Sequence, residues 1–254
     1  MFRPRIIPVL LLKNQGLVKS VKFINHRYIG DPINAVKIFN DLKADELVFL
    51  DILASRENRC ISHEFVKKVG EEANMPFAAG GGITTIEQIK LIISSGAEKV
   101  VINTHAVREP EFIQFASETF GSSTIVVCID VKKRYFGKEQ MWIMDGNKST
   151  GIDPVEFAQL IEEKGAGEII IQSIDKDGTM TGYDIELICK LAKAVKIPVV
   201  ALGGAGNLEH MKQAYKEGYA NGLAAGSMFV YHGSRNGILI NYLGRDEIIK
   251  SFLQ

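Results

Sequence analysis

Cysteine is scarce in this 254-residue sequence: Cys60, Cys128 and Cys189 stand far apart. With no CxxC pair and no even set, neither a structural zinc site nor a disulfide framework is implied. Three unpaired thiols fit a reducing cytoplasm, which is the expected location. Neither sign of charge is in excess, since 30 Lys and Arg balance 30 Asp and Glu. That balance excludes the global basic field of a nucleic-acid binder or an anionic-membrane binder. Local phosphate sites stay open. No apolar run approaches the roughly 18 residues of a membrane span. The opening MFRPRIIPVLLLK is interrupted by Pro8 and Lys13, and no small-residue cleavage pattern follows, so it reads as a buried strand. The five histidines, His26, His63, His105, His210 and His232, have no metal-ligand spacing. No metal and no cofactor is expected.

What is present is ordinary globular composition, 46% hydrophobic and 24% charged, at a length that suits one (β/α)₈ barrel or a two-domain α/β protein. Short β-branched runs alternate with segments of helical periodicity. The runs occupy 5–12, 46–52, 76–81, 99–103, 124–130, 168–175, 198–204 and 221–227. Near-continuous apolar strands separated by helices predict a parallel sheet covered on both faces, and eight such units predict a closed barrel. No Pro/Gly/Ser-rich linker divides the chain, so 1–254 is read as a single domain. Two connections are long. Residues 13–31 follow the first strand, and 131–152 follow the fifth and predict a small hairpin turning near Phe136–Lys138.

The chain also repeats itself. Arg5–Lys13 lines up with Thr124–Lys132, Glu46-Leu-Val-Phe-Leu with Glu168-Ile-Ile-Ile-Gln, and Gly80–Thr84 with Leu202–Gly206, always at an offset of about 120 residues. Two half-barrels of approximately 1–120 and 121–230 are the simple explanation, followed by a helical tail at 231–254. Each half ends a strand in glycines, Gly80, Gly81 and Gly82 in one, Gly203 and Gly204 in the other. Such turns let backbone N–H groups approach an anion, and the following helix adds its positive N-terminus. A second strand end in each half carries small or polar residues, Asn103 and Thr104, then Gly226 and Ser227, and Asp177-Gly178-Thr179 adds a turn beside the second pair. Two related cradles predict a ligand with two phosphates lying across the barrel mouth.

The segments GDPINAVKIFNDLKADELVFLDI, PFAAGGGI, GAEKVVINTHAV, FGSSTIVVCIDVK, GAGEIIIQSIDKDGTMTGYD and VVALGGAGNLEHM closely resemble the cyclase subunit of imidazole glycerol phosphate synthase, over roughly residues 5–230. The resemblance implies a half-barrel-duplicated (β/α)₈ barrel. It implies ammonia supplied by a glutaminase partner of the HisH type and used to cleave and cyclise a bisphosphorylated ribonucleotide. It also implies two catalytic aspartates, at the ends of strands one and five. Paired carboxylates suit that chemistry, one taking a proton as ammonia adds and the other giving one as the C–N bond breaks. Asp130 fills the second position. At the first, the chain reads PVLLLK, and the repeat places Leu11 opposite Asp130. An isobutyl group moves no proton.

Other positions diverge or hold. Gln172 and Leu202 stand where the family has small hydroxyl residues, whereas Lys19 and Asp51 are kept among the expected substrate-binding residues. The strand starts Arg5, Glu46, Lys99 and Glu168 match the family's ammonia gate. Three readings follow. In the first, the chain is a paralogue passing ammonia to another amination, as in the family's variants tied to sugar amidation for surface polysaccharide, with a third protein involved. The second is an ordinary histidine-pathway cyclase whose second acid–base group has moved to Asp51 or Asp175. The third is a phosphate-binding scaffold without catalysis.

Overall fold

Each apolar run becomes a strand because its residues are buried on both faces. The eight barrel strands are β1 (Arg5–Lys13), β2 (Leu47–Asp51), β3 (Phe77–Gly80), β4 (Lys99–Ile102), β5 (Ile125–Lys133), β6 (Glu168–Ser173), β7 (Val199–Leu202) and β8 (Gly222–Ala225). In this computed structural model, which describes residues 3–134, 138–233 and 235–252, they pair in parallel in chain order. The pairing of β8 with β1 closes the ring into a (β/α)₈ barrel. The registers of the two halves correspond: Leu11 pairs with Leu50 across β1–β2, and Asp130 with Gln172 across β5–β6.

Helices cover the outside, and most begin at a side-chain cap. Asp31 caps the helix Pro32–Asp41 and Asp153 caps the helix Pro154–Glu163, each with proline in the first turn, where its missing N–H costs nothing. Thr85 and Gln88 form a capping box at the start of the helix Ile86–Ser94. Asn207 caps the helix Leu208–Lys216. The apolar helix faces and the outward strand residues, among them Phe39, Phe49, Ile89 and Ile113, form the larger core. Inward residues form a second core down the barrel axis, including Ile7, Val9, Val48, Val101, Val126, Ile170 and Val200.

Three connections differ in kind from a plain loop or helix. Most of 13–31 is a hairpin, Gly16–Val21 against Ile24–Gly30, whose first strand pairs antiparallel with the end of β1. After β5 the chain folds back as Glu139–Ile143, with Asp130 opposite Trp142, and a short strand Lys148–Ser149 follows. Of the predicted turn near Phe136–Lys138, residues 136 and 137 lie outside the described residues. The tail expected to be helical first pairs Tyr231–His232 with Gly237–Ile238, and its helix is confined to Arg245–Phe252. The cause is visible at Tyr242. Its hydroxyl donates to the Ile6 carbonyl at 2.8 Å and accepts from the Asp45 N–H at 3.1 Å, which straps the extended tail beneath the barrel.

Candidate functional site

At the foot of the barrel the four charged strand starts close a ring. Arg5 bridges Glu46 and Glu168, and the Lys99 ammonium completes the circuit, 3.1 Å from Glu46 and 2.9 Å from Glu168. Both carboxylates are buried. Burial opposes the Arg5 charge, but Glu168 and Glu46 outweigh it and hold the guanidinium above its ordinary pKa. Above the ring the lumen is apolar up to Leu11 and Leu50.

At the mouth, the residues expected to bind ligand separate into two groups. Asp51, Gly81, Gly82, Asn103, Thr104 and Asp130 line a cavity of about 300 Å³. Lys19, Asp177, Gly178, Gly203, Gly204, Gly226 and Ser227 line a recess of about 20 Å³. Leu11, Ser20 and Gln172 border both, so the apolar replacement at position 11 forms part of the wall between them.

Close approach by other parts of the chain requires glycine at both expected cradles. At Gly82, with φ +63°, an added Cβ would stand 1.8 Å from the Arg59 carbonyl oxygen. At Gly226 it would stand 2.5 Å from the Lys19 ammonium. That lysine arrives from the first hairpin, lies fully buried and donates to the Val9 carbonyl at 2.6 Å. Burial pulls its pKa down to about 8, against the opposing pull of Asp177. A cation so stripped of water in a glycine-lined recess is suited to an anion.

Several expected ligand-binding side chains are already engaged. Asn103 donates to the Cys128 carbonyl at 2.9 Å and to Asp130 at 3.2 Å, so it orients the carboxylate. The Thr104 hydroxyl donates to Asn103 and accepts from the Met144 N–H at 3.1 Å, pinning the second hairpin to the cavity. Asp51 is gripped twice by Arg59 and accepts from the Leu53 N–H. Asp175, weighed as a relocated acid–base group, accepts from the Lys133 N–H at 2.9 Å and borders neither cavity.

Asp130 is buried, and burial first, then the like charges of Asp145 and Asp177, push its pKa up to about 7 against the bonds from Cys128 and Asn103. A carboxyl group poised there exchanges protons at neutral pH. Sequence reasoning missed Asp145, which lines the large cavity from the tip of the second hairpin, and Arg59, which clamps Asp51. Nothing in the periodicity marks Asp145. Its only signal is the Asp-Gly turn dipeptide at 145–146. No group of His, Cys, Asp or Glu suited to a metal ion occurs among the described residues, and none of their helices is long and apolar enough to cross a membrane.

Comparison with known proteins identifies the family. A family model described as "Histidine biosynthesis protein" matches residues 5–235. The "Putative imidazole glycerol phosphate synthase subunit HisF" of Leptospira borgpetersenii is 46% identical over 243 residues, 95% of this chain and 96% of that one. The "Putative imidazole glycerol phosphate synthase subunit hisF3" of Vibrio vulnificus is 44% identical, covering 95% of this chain and 94% of its own. The "Imidazole glycerol phosphate synthase subunit HisF" of Alkaliphilus metalliredigens is 42% identical over 91% of this chain and 92% of its own. With a matching barrel, a matching family model and relatives aligned over nearly their whole length, the chain belongs to the histidine biosynthesis protein family as a HisF-type, cyclase-class enzyme subunit.

Proposed function

We propose that this chain is the barrel subunit of a glutamine-dependent amidotransferase, accepting ammonia at its foot from a HisH-type glutaminase and presenting it to a doubly phosphorylated ligand at its mouth. The observation that carries this reading is the closed ring of Arg5, Glu46, Lys99 and Glu168 across the base of an apolar lumen. Neutral ammonia crosses an apolar passage, whereas ammonium and other ions meet a desolvation barrier. The two cradles and Lys19 then supply the phosphate contacts.

The acceptor is best read as something other than the histidine-pathway intermediate. Leu11 occupies the first aspartate position, Gln172 and Leu202 depart from the family's small hydroxyl residues, and one relative is named hisF3, as one of several copies would be. Sugar amidation for bacterial surface polysaccharide, in the cytoplasm and with a further protein contributing the activated sugar, is the acceptor chemistry we favour. A second reading, imidazole glycerol phosphate synthesis itself, draws support from the neutral-range pKa of Asp130 beside a cavity of useful size.

The test is reconstitution with a HisH-type glutaminase. A complex forming at micromolar concentration, with glutamine hydrolysis stimulated by the family's bisphosphorylated ribonucleotide, is the expected result. No binding to the charged face would eliminate the amidotransferase reading in favour of a phosphate-binding scaffold. With ammonium salts and that ribonucleotide, turnover should fall more than about tenfold below that of an ordinary family member, since Leu11, Gln172 and Leu202 all depart from the residues the family places around that substrate. Turnover within tenfold would select the histidine-pathway reading.

A further inference from the structure

The mouth has lost a proton-transfer group at position 11, yet a second cavity carboxylate stands elsewhere. Asp145 sits at the tip of the hairpin that follows β5, between Met144 and Gly146, and all three residues have left-handed backbone, with φ of 56°, 58° and 67°. The tip is fixed in place. The Met144 N–H donates to Thr104, and Asn147 donates to the carbonyls of Met144 at 2.8 Å and Asp145 at 3.0 Å. The resulting turn directs Asp145 into the same 300 Å³ cavity as Asp130. Its side chain is only 9% exposed, with Arg56 3.9 Å away. No hydrogen bond to its carboxylate is found among the described residues. This distinguishes it from the other carboxylates of the mouth. Asp51 is clamped by Arg59, and Asp177 accepts from Ser20 at 3.0 Å and Gln172 at 3.4 Å.

We propose that Asp145 is the second proton-transfer carboxylate of the mouth, working with Asp130 in place of the side chain lost at position 11. This rests on the reading that the mouth holds a phosphorylated ligand. As ammonia adds to an electrophilic ligand carbon, its nitrogen lone pair forms the C–N bond and one N–H proton passes to whichever carboxylate is ionised. The other, protonated, gives its proton to the departing heteroatom as that atom leaves with its bond pair. Protons balance, and the pair is left with its ionisation exchanged. The groups facing Asp145 set the working range. Burial raises its pKa to about 7, Asp177 adds to that rise, and Arg56 and Lys13 pull the other way.

The test compares wild type with Asp145→Asn and Asp130→Asn. Asparagine tolerates left-handed backbone, so the turn survives the first change. Carboxyl ¹³C NMR titration of the ligand-free protein should show Asp130 titrating near 7 in wild type and lower by several tenths of a pH unit in Asp145→Asn. With ammonium chloride and the family's bisphosphorylated ribonucleotide as probe, Asp145→Asn should lower kcat by at least tenfold while calorimetry shows the ribonucleotide Kd within about threefold of wild type. The kcat–pH profile should lose one limb. An unmoved Asp130 titration, or a variant kcat within twofold of wild type with binding intact, overturns the proposal alone. Failure of the wild type to bind either the ribonucleotide or inorganic phosphate overturns the phosphorylated-ligand reading and the proposal with it.

Discussion

Two buried charges at the mouth set how the protein should respond to pH. The Asp130 pKa near 7 lies above the ~3.9 of an unfolded aspartate. A raised carboxyl pKa contributes stability that is fully present below the unfolded value and is lost as pH rises through the folded one. Asp130→Asn removes that dependence, so its stability relative to wild type should climb between pH 4 and pH 7 and level off above. At ~1.4 kcal/mol per unit the gain is on the order of 3 kcal/mol. Urea denaturation at pH 4.5 and pH 8 reads it directly, and an equal difference at both would contradict the assignment. Lys19 runs the other way, its pKa held down at about 8 by burial. Phosphate affinity should therefore fall between pH 7 and pH 9 as the ammonium loses its proton. Lys19→Met should weaken inorganic phosphate binding by at least tenfold at pH 7, consistent with loss of a charge-assisted bond of about 1.5–3 kcal/mol. Calorimetric titration with phosphate measures both effects.

Lys19 acts only through the hairpin that carries it, which reaches back over β1 and seats the ammonium above Gly226. Gly226→Ala places a methyl group 2.5 Å from that nitrogen. The prediction is loss of phosphate binding comparable to that of Lys19→Met, with a far-UV spectrum and unfolding midpoint close to wild type. Retained binding would mean that the cradle does not depend on this lysine. The eight barrel strands were legible in the sequence because burial on both faces forces uninterrupted apolar runs such as Ile125–Ile129 and Ile169–Ile171. The first hairpin was not, since Ile24 and Tyr28 face outward at 59% and 64% exposure and leave no inward alternation to detect. The ring at the foot could be named only by family likeness, because four charges spread over 163 residues of sequence carry no spacing signal. Asp145 escaped for a different reason: a left-handed loop turn directs it, and no periodicity encodes that.

Across the whole molecule, the ring and the mouth lie at opposite ends of one apolar lumen, so they should respond to mutation independently. Lys99→Ala leaves Glu46 and Glu168 sharing Arg5 alone. Removing one partner from a largely buried ion pair costs about 3–5 kcal/mol, a sum relieved here by opening the ring to water. Phosphate binding at the mouth should be unchanged, whereas a reconstituted glutaminase complex should release ammonia to bulk solvent or lose coupled hydrolysis. Assays of free ammonia and glutamate together test this, and a fully coupled variant would remove the ring from the conduit. The unequal cavities beside Leu11 carry a last consequence, one of direction. A duplicated barrel with equal halves would accept a two-phosphate ligand either way round, and half of all encounters would present the wrong atom to Asp130. Here one end of the mouth offers about 300 Å³ and the other about 20 Å³. A ligand with one bulky terminus and one bare phosphate therefore has a single orientation open to it, chosen by volume.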